Sequence, residues 1–188
     1  MDRPLPPAST ALPLVFVTVG TDHHPFDRLI EWIDRWFDDG GGRRARCLVQ
    51  SGTSRPPAHA PWRPYLTAQE MEAAMSEAAC VVCHGGPTTI IDAGRHGRKP
   101  IVVPRQKSLG EHVDDHQAAF VDWIATQQEI EVVDGEERLR ALIDHAVSDP
   151  TALSVTSTLV ETGRAVRLIE SWIDELVSRP RRRSRGAK

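Results

Sequence analysis

From residue 14 onward, short apolar runs alternate with amphipathic stretches. Leu14-Val15-Phe16-Val17-Thr18-Val19 is apolar but for one threonine and ends at Gly20-Thr21, which predicts a parallel strand covered on both faces and then a turn. Phe26, Leu29, Ile30, Ile33 and Phe37 follow at helical spacing between acids and arginines, and Gly40-Gly41-Gly42 stops that helix. Residues 45–50 repeat the strand, with Ser51-Gly52-Thr53 as its turn. A proline-rich connection then runs through Trp62 to Tyr65-Leu66. A helix is predicted over 68–78, because Thr67 and Glu70 have the spacing of a capping box.

The same alternation continues through a strand over 79–83, a helix over about 88–94, a strand over 100–103 and a helix over 111–125. A short strand at 130–133, the turn Asp134-Gly135 and helices over about 136–147 and 155–178 complete the pattern. Strands alternating with helices predict a single α/β domain, Rossmann-like, with a parallel sheet and helices on both faces. Its span is 14–178, after a loose proline-rich arm over 1–13 and before a basic tail over 179–188. Ligands of such sheets bind at the carboxyl ends of the strands, where the glycine turns fall.

Composition narrows the class without naming it. The chain has 188 residues, 40% hydrophobic and 26% charged, and a formal net charge of −3, so nothing draws the whole molecule to nucleic acid. The tail from Arg179 to Lys188 holds six cations and no acid, which suits a solvated end or a peripheral contact with anionic lipid. No apolar run reaches membrane-spanning length and the N-terminus has no signal-peptide pattern, so the expected location is the cytoplasm. Cys47, Cys80 and Cys83 fit a reducing compartment.

The segment with the most chemistry follows the strand Cys80-Val81-Val82-Cys83. His84-Gly85-Gly86 removes side-chain bulk where the next helix begins. The exposed amides, the hydroxyls of Thr88 and Thr89, and His84 could then hold an anion such as a diphosphate. On these residues alone, a tight turn with capping threonines is an equal reading. Asp92, further along the helix, could reach a ribose or simply face solvent. Cys80-Val81-Val82-Cys83-His84 also spells a haem-attachment pattern, but a strand would turn the two thiols to opposite faces, so both are expected in the core. His112 and His116, four apart on the predicted helix, are a weak zinc pair without a second cluster. His23-His24, beside Gly20-Thr21, brings in His24 as a candidate catalytic base.

Residues 84–93, 97–105 and Asp115-His116-Gln117 together resemble the donor-binding signature of glycosyltransferase family 28. Val17-Thr18-Val19-Gly20-Thr21 with Phe26-Asp27-Arg28-Leu29-Ile30 is similar to the opening of the small soluble subunits of split transferases. Those include the eukaryotic subunit that adds the second N-acetylglucosamine to a dolichol diphosphate sugar, and bacterial exopolysaccharide glucuronosyltransferase subunits. Over roughly residues 14–148, the resemblance implies the C-terminal, donor-binding half of a GT-B enzyme.

Carried over residue by residue, it assigns the diphosphate to His84, Gly85, Gly86, Thr88 and Thr89, with His84 also catalytic. Gly20 and Thr21 would line the opposite side of the cleft. Asp92 would hold the ribose, Asp115, His116 and Gln117 the sugar, and Tyr65 and Leu66 the base. Two departures stand out: Pro87 replaces a small residue, and Asp92 stands where glutamate is usual. The implied activity is transfer of a hexosyl group from a UDP-sugar to a lipid-linked or polysaccharide acceptor, inverting and without cofactor or metal. The implied partner is a membrane-anchored acceptor-binding subunit, for which Val166, Leu168, Ile169, Trp172, Ile173, Leu176 and Val177 offer a helical stripe, although such a stripe more often packs on its own domain. A nucleotide-sugar-binding regulatory module without catalysis is the alternative.

Overall fold

The computed structural model describes residues 12–113, 121, 124, 125 and 130–155. The predicted C-terminal helix, the basic tail and most of the arm lie outside the described residues, as do Asp115, His116 and Gln117. Six strands, β1 (Leu14–Thr18), β2 (Arg46–Gln50), β3 (Trp62–Arg63), β4 (Ala78–Cys83), β5 (Ile101–Val102) and β6 (Glu131–Val132), form one sheet in the order β3-β2-β1-β4-β5-β6. Every pairing is parallel.

The pleat of the central strands separates two cores. Val15, Val17, Cys47, Val49, Cys80 and Val82 face helix α1 (Asp27–Trp36) and helix α5 (Glu136–Ser148), meeting Leu29, Ile33, Leu139 and Ile143. Leu14, Phe16, Leu48 and Val81 face the other way. They meet Ala74 and Met75 of α3 (Ala68–Glu77) and Ala93 of α4 (Pro87–Arg95). β1 is buried along its whole length because both of its faces are covered, as its apolar run predicts. A π-turn (Phe37–Gly41) and a single turn, α2 (Gly42–Arg44), end the α1 segment at the glycines.

The capping box of α3 is present: Thr67 Oγ1 accepts from the Glu70 amide at 3.2 Å, and Glu70 Oε2 accepts from the Thr67 amide at 2.7 Å. Pro13, placed in the loose arm by its composition, is instead held, since its carbonyl accepts the Arg46 amide at 2.9 Å.

The predicted helix over 111–125 begins too early. Lys107–Leu109 is a 3-10 turn, Gly110 follows with φ 72°, and Glu111, His112 and Val113 are not helical. The reason is Glu111, whose carboxylate turns inward to take Arg28 Nε at 2.9 Å, Arg28 Nη2 at 2.8 Å and the Gln106 amide at 2.8 Å. Helix geometry is found at Val121, Ile124 and Ala125. None of the described helices is long and apolar enough to cross a membrane.

Candidate functional site

The strand order reverses its outward march between β1 and β4, and the loops after these two strands diverge over a crevice at the carboxyl edge of the sheet. A cleft of about 570 Å³ lies there. The β1 side contributes Thr18, Gly20, Thr21 and Asp22, and the start of α4 contributes His84, Gly86, Pro87, Thr88 and Thr89. Gln50 closes it from β2, and Leu66 and Met71 supply an apolar end.

The two loops interlock through one imidazole. The His84 ring is 7% exposed and lies between Gly20 and Gly86. A Cβ at Gly20 would stand 2.5 Å from His84 Cε1, and one at Gly86 would stand 2.6 Å from His84 Nε2. Gly20 also has φ 79°, so its lack of a side chain serves both the turn and the ring contact. Gly85 has φ 94° and does not line the cleft; a Cβ there would meet Val121 Cγ2 at 2.6 Å. Burial pushes the His84 imidazole down to about 4, helped by the positive Arg105 and opposed by the Thr18 backbone and Asp22. It is therefore neutral near pH 7, and its Nδ1 makes no well-formed hydrogen bond among the described residues.

At the head of α4 the usual cap is missing. Gly86 has no side chain to offer, and Pro87, at the first helical position, has no N–H. The first intrahelical bond runs from the Ile90 amide to the Gly86 carbonyl at 3.1 Å, leaving the Thr88 and Thr89 amides without intrahelical acceptors. Both threonines line the cleft.

The loop after β1 is held from outside itself. Arg105, 2% exposed, donates from Nη2 to the Val19 carbonyl and from Nη1 to the His24 and Glu111 carbonyls, each at 2.8 Å, and stacks over the Phe26 ring. Gln50 Nε2 holds the Gly20 carbonyl at 3.1 Å, and Gln50 Oε1 accepts from Thr18 Oγ1. Thr53 Oγ1 lies within hydrogen-bond reach of the Asp22 and His23 carbonyls, at 3.3 and 3.2 Å. Asp22 Oδ1 in turn accepts from the His24 amide at 2.7 Å and lies 2.6 Å from His24 Nδ1, and its Oδ2 is 3.4 Å from His112 Nε2. Burial alone would raise the Asp22 carboxyl, but the His24 hydrogen bonds and Arg105 hold it below the ordinary value.

Several sequence expectations meet here and others do not. Gly20, Thr21, His84, Gly86, Thr88, Thr89 and Leu66 share the cleft. Asp92 is not part of its lining, and its carboxylate pairs with Arg95 at 3.0 Å. Tyr65 is 51% exposed and also outside it. His24 is not among the lining residues, but its ring pairs with Asp22, which is. The weak zinc pair loses its basis, because His112 does not sit on a helix and Glu111 is committed to Arg28. Cys80 and Cys83 occupy different core clusters, and burial pushes both thiols up to about 12, as expected of inert core residues. Sequence reasoning missed Asp22, Gln50 and Arg105. The available signal was a polar residue closing each of two apolar strands, Thr18 and Gln50, which pair with each other in register.

Residues 14–168 match the glycosyltransferase family 28 C-terminal domain. The chain is 30% identical over 122 residues to a UDP-N-acetylglucosamine--N-acetylmuramyl-(pentapeptide) pyrophosphoryl-undecaprenol N-acetylglucosamine transferase of Sinorhizobium fredii, covering 61% of this chain and 31% of that protein. Among solved structures, the glycotransferase of kitacinnamycin superposes with a TM-score of 0.55 at 17% identity, over 93% of this chain and 44% of that one. A calicheamicin glycosyltransferase does so with a TM-score of 0.51 at 12% identity, over 88% and 44%. These two likenesses show the fold. The chain thus spans less than half the length of each of these proteins.

Proposed function

The chain belongs to the glycosyltransferase family 28 C-terminal domain family, and from that premise we propose that it is the donor-binding half of a glycosyltransferase moving a hexosyl group from a UDP-sugar to a lipid-linked or polysaccharide acceptor. The observation that carries this reading is the uncapped start of α4, with a buried, neutral imidazole beside it. Open amides at a helix N-terminus stabilise an anion, and here the Thr88 and Thr89 hydroxyls add donors at the same edge. As the bond to the transferred sugar breaks, charge grows on the diphosphate oxygens. Donors already in place for that charge lower the barrier, each worth about 3 kcal/mol in comparable sites.

His84 serves as a neutral hydrogen-bonding group rather than a cation. Leu66 and Met71 give the uracil an apolar seat. The Asp92 pair with Arg95 is partly exposed and of little net worth, so the carboxylate is free to exchange it for ribose hydroxyls. Asp115, His116 and Gln117 complete the proposal as sugar contacts. The acceptor side is proposed to belong to a membrane-anchored partner, as in the split transferases whose small subunits the opening residues 17–30 resemble. The C-terminal stripe and basic tail are its proposed contacts with partner and membrane, and no metal is called on.

Titration calorimetry of the full chain against UDP, several UDP-sugars and inorganic diphosphate tests the reading. The expected result is UDP-dependent heat, reduced at least tenfold in affinity by Thr88→Ala together with Thr89→Ala. Absence of any UDP-dependent heat in the wild type would overturn it.

A further inference from the structure

The donor-binding reading leaves one cluster unused: Asp22, His24 and His112 at the cleft edge. Asp22 lines the cleft, and its Oδ1 lies 2.6 Å from His24 Nδ1. A turn alone would need only the His24 amide on that oxygen; the imidazole on the same atom is a second, separate bond. An ionised carboxylate only accepts, so it holds the proton on Nδ1 and leaves the lone pair on Nε2, which has no partner among the described residues. With the amide and the imidazole both on Oδ1, that oxygen has no lone pair left for a metal ion. The backbone beneath is rigidly seated, since Arg105 holds the carbonyls of Val19 and His24 on either side of Asp22.

We propose that His24 is the general base that takes the proton of the acceptor hydroxyl, with Asp22 as its positioning residue, so that the donor-binding chain carries the base as well. The inference rests on the transferase reading above. In the step, the acceptor O–H proton passes to His24 Nε2 as the oxygen bonds to the anomeric carbon. The bond from that carbon to the diphosphate oxygen breaks, and UDP leaves with the electron pair. Asp22 stabilises the resulting imidazolium through the Nδ1–H. The other charged or titratable groups around the pair are His23, His112, His84 and Arg105.

Two measurements on the full chain decide it. Nitrogen-15 NMR of the histidine rings should find neutral His24 as the Nδ1–H tautomer in the wild type and as a tautomer mixture in Asp22→Asn; a wild-type Nε2–H tautomer would overturn the assignment. With membranes supplying partner and acceptor, His24→Gln should lower transfer of labelled sugar about a hundredfold or more, with UDP affinity within about twofold of wild type. Asp22→Asn should lower kcat about tenfold or more and move KM little. Full transfer by His24→Gln refutes the base alone. A wild type that binds no UDP, or binds it and transfers nothing, refutes the transferase reading and the base with it.

Discussion

Replacing Gly20 by alanine would set a methyl carbon 2.5 Å from His84 Cε1 and 2.7 Å from Nε2. The ring has no room to retreat, because Gly86 is packed against its other side. Overpacking of this kind costs about 1–3 kcal/mol. The positive φ of 79° costs an L-residue about 1–2 kcal/mol more. The sum is about 2–5 kcal/mol. Gly110→Ala separates the two costs, since Gly110 has φ 72° but no heavy atom within 4 Å of a built Cβ among the described residues. It should lose only the conformational part, about 1–2 kcal/mol. For a chain of this size the difference corresponds to a melting temperature roughly 2–12 °C lower for Gly20→Ala than for Gly110→Ala. Thermal and urea denaturation measure it, and calorimetry on the same samples should find UDP binding weakened only in Gly20→Ala. Equal destabilisation of the two variants would refute the clamped-ring account.

Acid should destabilise the protein through the same imidazole. His84 titrates near 4 when folded and near its ordinary value when unfolded, so the unfolded chain takes up the proton first. Stability then falls as pH drops from about 6.5 to about 4, by roughly 3 kcal/mol, a loss that urea titrations should find in wild type and not in His84→Gln. Glu111→Ala strands the Arg28 guanidinium and should cost about 3–5 kcal/mol, whereas Arg28→Met with Glu111→Leu should recover part of it; a double-mutant cycle by urea denaturation reads both. Thr67→Ala removes the cap of α3 and should cost about 1 kcal/mol by the same assay.

The strands that carry the site were readable because burial on both faces leaves a nearly continuous apolar run, as in residues 14–19, broken only by Thr18, and 79–83. The α3 cap was readable because its two partners are local. The loop at His84 was readable as an anion site only as one of two equal meanings; the missing cap and the ring contact with Gly20, which lies 64 positions away, support the proposed anion site and are not written in the local sequence. β3 was not readable, because Trp62–Arg63 lies in a proline-rich connection without an apolar run, whereas the equally short edge strand β6 is flanked by Ile130 and Val133. The start of the predicted helix at 111 was wrong because Glu111 satisfies Arg28, 83 positions earlier, and periodicity contains nothing of such a pairing. Asp22 and Arg105 were invisible as site residues for the same reason. Their roles consist of contacts with backbone carbonyls and imidazoles brought together only by the sheet.

Those carbonyl contacts bear on how the site could change over generations. The turn from Val19 to His24 keeps its path because Gln50, Thr53 and Arg105 hold its main chain, and none of these three belongs to the turn. The shape of the turn is therefore inherited separately from its lettering. Positions 21 and 23 can be rewritten while the scaffold that displays them stays as it is, whereas a change at 22, whose carboxylate ties the His24 amide, or at 50 or 105 would disturb the path itself.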